Sequence, residues 1–256
     1  GDTDINDASR PIKPSEVQKC AEEGVEFIEL PVAIDGLTIG VNLENDFVGC
    51  VTVEELHAMW QPDAEGKISR WSQIREGWPN EKLRLYGPGV DSGTFDYFTE
   101  IVNGEAQASR GDFTSSERDN VLVQGIAGDR GSLGYFGYSY FVENQDKLKM
   151  VAVDSGNGCV IPTDGTINDG TYSPLSRPLF IYVSKEAWAE PDVKDFVSYF
   201  VSHERASLLK ELGFVPFPKQ VHDLILDRFE RGLTGTIFGG ENPQHGTVEE
   251  ILSANR

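Results

Sequence analysis

The stretch Leu83-Arg84-Leu85-Tyr86-Gly87-Pro88-Gly89-Val90-Asp91-Ser92-Gly93-Thr94-Phe95-Asp96-Tyr97-Phe98-Thr99-Glu100 constrains the fold more than any other part of this chain. Leu83, Leu85 and Tyr86 read as a strand, and Gly87-Pro88-Gly89 ends it. Ser92-Gly93-Thr94 then opens a helix whose apolar face is Phe95, Phe98, Ile101 and Val102. A strand passed through glycines into a helix start has built-in chemistry. The first helical N–H groups lack intrahelical partners and point out of the helix end, where the dipole adds about half a positive charge. Gly93 allows an oxyanion to approach the backbone, and the Ser92 and Thr94 hydroxyls add donors. The same residues also suit an ordinary N-cap, and local sequence leaves both readings open.

A rival reading exists. Val90-Asp91-Ser92-Gly93-Thr94 fits the apolar-Asp-Ser/Thr-Gly pattern of aspartic proteases, and Val153-Asp154-Ser155-Gly156 nearly repeats it. Two such carboxylates sharing a proton would activate water. Against this, helical spacing follows the first copy, where a protease has β-structure. The copies also lie too close together for two β-lobes, and the second continues Asn157-Gly158-Cys159 without the next Ser or Thr.

The chain has 256 residues, enough for one large domain or two lobes with cores of their own. A hydrophobic content of 39% makes it globular rather than disordered, and no apolar run approaches the about 20 residues of a membrane span. With 42 acidic against 22 basic residues, the net charge of −20 opposes binding to nucleic acid or to an anionic membrane surface. A small anion is not excluded, because salt screens distant surface charge within about 10 Å. Cys20, Cys50 and Cys159 form no C-x-x-C pair and allow at most one intrachain disulfide. His57, His203, His222 and His245 are scattered, so no metal or other cofactor is indicated. Neither a Walker-type Gly-Lys-Ser/Thr nor a G-x-S-x-G occurs.

Strand-like and helix-like stretches alternate. Helices are expected from Ser15, as N-cap, to Gly24, from Thr52 to Met59, from Pro191 to Ser202, from Glu204 to Leu212 and from about Pro218 to Arg231. Thr52 and Glu55 have the spacing of a capping box. Val25–Ile34, Leu37–Val41, Leu148–Val153 and Leu179–Val183 read as strands, with Asp35-Gly36 as a turn. Asn120–Ile126 fits either element, and the aromatic run Gly134–Phe141 is expected to be buried. The tail from Glu241 to Arg256 is polar, with a short helix expected over Thr247–Ala254. The alternation indicates an α/β protein with a mostly parallel sheet.

A second constellation lies near the start. Arg10, in Asp7-Ala8-Ser9-Arg10-Pro11-Ile12, is held extended by the following proline and offers a fork suited to a tetrahedral oxyanion. Asp7 beside it would accept a hydrogen bond from a protonated phosphate oxygen and repel sulfate. The competing reading is a surface arginine paired with a nearby aspartate.

Six segments in this order carry a resemblance. They are Asp4–Ile12, Pro31–Thr38, Tyr86–Phe98, Asp119–Gly125, Leu133–Tyr138 and Pro174-Leu175-Ser176-Arg177-Pro178-Leu179-Phe180. Together they resemble the extracytoplasmic phosphate-binding protein of the phosphate ABC transporter, over roughly residues 1–238. The resemblance implies a two-lobed periplasmic-binding-protein fold of type II with two hinge crossovers. Lobe I would comprise 1–41 with 176–256, and lobe II 42–175. It implies phosphate contacts from Ser9 and Arg10 and from Ser92, Gly93 and Thr94. Asp91 would orient the arginine or accept the phosphate proton, Asp7 is the weaker candidate for that, and Asp35 is structural first. Family members begin with a further strand, loop and helix, so the first lobe is expected to be incomplete here. Its sheet edge would then be open to a second chain, and Cys20 would be the orphaned partner of a cysteine in that stretch.

The leading expectation is therefore high-affinity binding of inorganic phosphate by lobe closure, for delivery to ABC transporter permease subunits in the periplasm or another extracytoplasmic space. No bond is made or broken, so the chain is not read as an enzyme. The alternatives are a receptor for another oxyanion, a truncated paralogue acting as sensor or assembly partner, and the hydrolase working through Asp91 and Asp154.

Overall fold

The computed structural model describes residues 3–239 and 247–255. Its elements in chain order begin β1 (Ile5–Ala8), α1 (Pro14–Glu22), β2 (Phe27–Asn42), β3 (Cys50–Thr52), α2 (Val53–Trp60), β4 (Arg84–Gly87) and α3 (Gly93–Asn103). There follow β5 (Thr114–Ser115), α4 (Asp119–Ala127), β6 (Ser132–Gly137), α5 (Tyr138–Glu143), β7 (Leu148–Asp154), β8 (Cys159–Val160) and α6 (Asp164–Asn168). The chain then forms β9 (Ser176–Ser184), α7 (Pro191–Phe200), α8 (Ala206–Glu211), α9 (Lys219–Glu230) and α10 (Val248–Ala254). Of the polar tail, α10 lies in the described part and is capped by Thr247, whose Oγ1 accepts the Glu250 N–H. Residues 240–246 and 256 lie outside the described residues.

The chain separates into two compact units. One comprises Gly1–Asp35, Ile167–Thr171 and Ser176–Arg256, and the other Gly36–Thr166 and Tyr172–Leu175. Residues 36–41, expected with the first lobe, fall in the second unit by this division, and 167–171 fall in the first.

In the first unit β1 pairs antiparallel with β9, Asp7 opposite Ile181, and β1 is the end strand of the sheet order. Its core gathers Ile28 and Leu30 of β2, Phe180 and Val183 of β9, and Ile225 and Phe229 of α9, all buried. A fully buried carboxylate organises this unit. Glu29 accepts hydrogen bonds from the Thr236 hydroxyl (2.9 Å), the Ile237 N–H (2.8 Å), the Phe238 N–H (3.3 Å) and the Tyr182 hydroxyl (3.0 Å). Burying a charge is costly unless donors surround it, and here they do.

In the second unit β2 runs between β6 and β7, both antiparallel to it: Ile39 lies opposite Tyr135 on one side and Val151 on the other. β4 joins β6 in parallel, β5 joins β4 in parallel, and β3 joins β7 in parallel. The expected mostly parallel sheet is thus corrected to a mixed one. The error came from counting alternation alone, which does not register that β2 turns back against both neighbours. Side chains alternate across the pleat. Tyr135 stacks on Phe98 of α3 (3.7 Å between ring centroids) and meets Trp60 of α2 (4.9 Å). Phe136 faces the cluster of Val123, Ile126, Phe141 and Leu148. The aromatic run is therefore a strand feeding a short helix, with Gly137, Ser139 and Tyr140 only half-buried.

Two local expectations change, and one left open is decided. Asp35-Gly36 is not a turn but the middle of the 16-residue strand β2. Ladder bonds keep it extended: Ile34 and Val215 exchange N–H···O bonds at 2.9 Å, and the Leu37 N–H donates to the Leu175 carbonyl at 2.8 Å. The α1 N-cap is Lys13 rather than Ser15, because Pro14 occupies the first turn and Glu16 accepts the Lys13 N–H at 2.8 Å. Asn120–Ile126 belongs to helix α4, with Gly125 fitting where a Cβ would strike the Tyr86 ring. Thr52 and Glu55 do form the capping box of α2.

Candidate functional site

The α3 start in the second unit is built as the sequence suggests. β4 ends at Gly87, where a Cβ would lie 2.9 Å from the Tyr135 ring, so the backbone must pass the aromatic cluster without a side chain. The Ser92 N–H donates to the Gly89 carbonyl at 3.1 Å, closing a tight turn. Ser92 is the N-cap, extended at φ −88° and ψ 129°, and its Oγ accepts the Thr94 N–H at 3.2 Å. Its carbonyl takes the first helical bond, from the Asp96 N–H at 3.1 Å. Phe95, Phe98 and Val102 bury the apolar face and fix the helix direction.

The open side of this turn faces solvent. An ideal Cβ at Gly93 would meet nothing within 4 Å, and Asp91 and Gly93 are exposed while Ser92 and Thr94 are half-buried. Gly93 does not have a positive φ. Its value at this position is the close approach it allows to the backbone, not an unusual conformation. Asp91, Ser92, Gly93 and Thr94 are thus together on one turn.

In the first unit Asp7, Ser9 and Arg10 line one cleft of about 490 Å³ with Glu16, Cys20 and Tyr182. Arg10 there has a partner the sequence reading did not name. Its guanidinium grips Glu16 with both arms at 2.8 Å, and Nη1 also donates to the Pro11 carbonyl at 3.1 Å. The Arg10 hydrogen bonds hold the Glu16 carboxyl down at about 2. The anticipated arginine–aspartate pairing is therefore an arginine–glutamate pairing, made because Glu16 sits on the first turn of α1 facing back toward Arg10. The spacing Lys13-x-x-Glu16 was the signal that could have found it.

Asp35 does not line that cleft. Its carboxylate faces the Arg177 guanidinium at 3.4 Å, both side chains largely buried, and burial raises its pKa against the pull of Arg177.

The aspartic-protease near-repeat is one of sequence only. Asp91 leads into a helix, whereas the Asp154 carboxylate accepts the N–H groups of Gly156 (2.8 Å) and Gly158 (2.9 Å) in a turn between β7 and β8. Cys50 and Cys159 form a disulfide linking β3 and β8 across β7, and Cys20 is a free, half-buried thiol. Among the described residues no cluster of His, Cys, Asp and Glu could hold a metal ion, and no helix is long and apolar enough to cross a membrane.

Comparison with known proteins adds a family and relatives. Residues 1–204 match the model described as PBP superfamily domain. Protein SphX of Synechococcus elongatus is 45% identical over 99% of this chain and 75% of its own length. The phosphate-binding protein PstS of Staphylococcus aureus is 36% identical over 89% of this chain and 67% of its own. Among solved structures, that of a possible phosphate binding protein from Planctomyces limnophilus superposes with a TM-score of 0.83. It shares 46% identity and covers 90% of this chain and 81% of its own.

Proposed function

The chain belongs to the PBP superfamily, and on that premise we propose that it binds inorganic phosphate and hands it to the permease of an ABC transporter. The observation that carries the reading is the open Ser92-Gly93-Thr94 turn at the N-terminus of α3, in a chain this similar to proteins named for phosphate binding. Family members bind substrates rather than transform them, and this chain is read the same way.

The phosphate is seated by backbone N–H groups of the first α3 turn and by the Ser92 and Thr94 hydroxyls. Each such bond to a charged oxygen is stronger than its neutral counterpart. Asp91, exposed beside the turn, accepts the proton that phosphate retains near neutrality. In the first unit we propose Ser9 as a hydroxyl donor and Arg10 as a cationic contact to phosphate, with Glu16 holding the guanidinium in position. Asp7 is the weaker proton acceptor. The site of action is extracytoplasmic, in line with the Cys50–Cys159 disulfide, a bond that persists in oxidising compartments.

Calorimetric titration with phosphate at pH 7, with sulfate as control, tests the reading on protein stripped of ligand by unfolding and refolding. Phosphate dissociation at about 1 μM or tighter, with sulfate much weaker, is expected. A folded chain that takes up sulfate or molybdate in preference to phosphate makes it a receptor for another oxyanion. A folded chain that binds no anion overturns the reading.

A further inference from the structure

The hydroxyl of Tyr182 joins the buried Glu29 carboxylate to the segment that carries Arg10. Tyr182 lies on β9 opposite Asn6 of β1. Its ring is held edge-on to Phe27 (5.7 Å between centroids) and stacked with Phe180 (6.1 Å). Its oxygen stands 3.0 Å from Glu29 Oε2 and 3.5 Å from the Arg10 carbonyl, and it accepts the Ile12 N–H at 2.7 Å. A phenol has one proton to give. It goes to the carboxylate, the nearer acceptor and the charged one. Burial and, next, Glu29 push the phenol pKa up, so that proton stays in place near neutrality.

This fixes where the remaining lone pairs of the Tyr182 oxygen point. Glu29 Oε1 is taken by the Ile237 and Phe238 N–H groups, and the Thr236 hydroxyl lies between the two carboxylate oxygens at 2.9 and 3.0 Å. Oε2 is thereby left to take the Tyr182 proton. With its proton committed, the Tyr182 oxygen only accepts on its other side, and what it accepts is the Ile12 N–H. Pro11 has no N–H to offer. The Ile12 bond therefore holds the backbone two residues from Arg10, and Arg10 and Tyr182 line the same cleft. A contact made from a loose segment must be ordered by the ligand as it binds, at a cost in affinity, whereas a segment held beforehand escapes that cost.

We propose that Tyr182 is a positioning residue for the Arg10 contact to phosphate, its hydroxyl, oriented by Glu29, holding the Arg10–Ile12 backbone in place. The inference rests on the reading of Arg10 as a phosphate contact given above.

The test is calorimetric titration with phosphate of wild type, Tyr182→Phe, Arg10→Ala and the double variant, folding being checked by circular dichroism. Tyr182→Phe keeps the ring and removes the hydroxyl. It is expected to weaken phosphate about tenfold, while adding it to Arg10→Ala weakens phosphate by less than about twofold further, because Tyr182 acts through the Arg10 segment. Equal weakening in both backgrounds, or none in folded Tyr182→Phe, overturns this inference alone. Amide hydrogen exchange read by NMR supplies a second measurement. The Ile12 amide should be protected in wild type and exchange about tenfold faster in Tyr182→Phe. An Ile12 amide that exchanges in wild type as freely as an exposed one overturns the inference even if the variant fails to fold. A wild type that binds phosphate and is unmoved by Arg10→Ala removes Arg10 from the phosphate reading and this inference with it. A wild type that binds no anion overturns it together with the whole phosphate reading.

Discussion

The two units dispose of charge in opposite ways. In the first, three charged side chains are closed into partnerships within the unit. Arg10 is forked onto Glu16, Asp35 faces Arg177, and the buried Glu29 is ringed by Thr236, Ile237, Phe238 and Tyr182. In the second, the α3 turn carries the Ser92 and Thr94 hydroxyls where a Cβ on Gly93 would meet nothing within 4 Å, with the exposed Asp91 beside it. The difference teaches where an anion finds an advantage. A side-chain cation in a strongly acidic chain is readily met by a carboxylate from its own neighbourhood. Donors at a helix start are fixed in the backbone, and Ser92 Oγ caps the Thr94 N–H.

The contrast can be broken at its strongest point first. Glu29→Ala should strip four donors of their acceptor and lower unfolding free energy by about 4 kcal/mol, read by urea denaturation. A loss under about 1 kcal/mol would mean that the first unit does not depend on its closed network. Next, Gly93→Leu should weaken phosphate binding about 100-fold while leaving thermal stability near wild type, since the added Cβ meets nothing within 4 Å and helix propensity improves. Undiminished affinity would show that the open turn is not the seat.

Cys50→Ser should then cost about 2 kcal/mol of stability, with a matching loss on reducing the wild type, because the bond closes a long loop in the second unit. Equal stability of oxidised and reduced protein would count against it. The smallest effect is at Glu16. Its folded pKa of about 2 lies below its ordinary value of 4.5, so its contribution is fully present above pH 4.5 and is lost as pH falls toward 2. Glu16→Gln should flatten that part of the acid denaturation curve only slightly, because the Arg10–Glu16 pair is partly exposed to solvent. An unchanged curve would mean that the pair adds nothing to folding.

Much of this was legible in the residues alone, wherever the determining interaction is local. The spacing of Phe95, Phe98 and Val102, the Ser92 N-cap and the Thr52–Glu55 capping box involve neighbours within a turn or so of helix, and each forms as read. The resemblance carried by the six segments led to the family, and the comparisons agree with it. Asp35-Gly36 illustrates the limit. A dipeptide with good turn chemistry stays extended because Val215 and Leu175, far along the chain, supply hydrogen bonds that outweigh its local preference. The direction of β2 against β6 and β7, the burial of Glu29 and the pairing of Cys50 with Cys159 are of the same kind. Sequence by itself determined the helix start and its donors, because short-range sterics and hydrogen bonding decide them. Only the tertiary structure decided which charges are paired within the fold, because that depends on residues brought together by strand pairing across long stretches of chain.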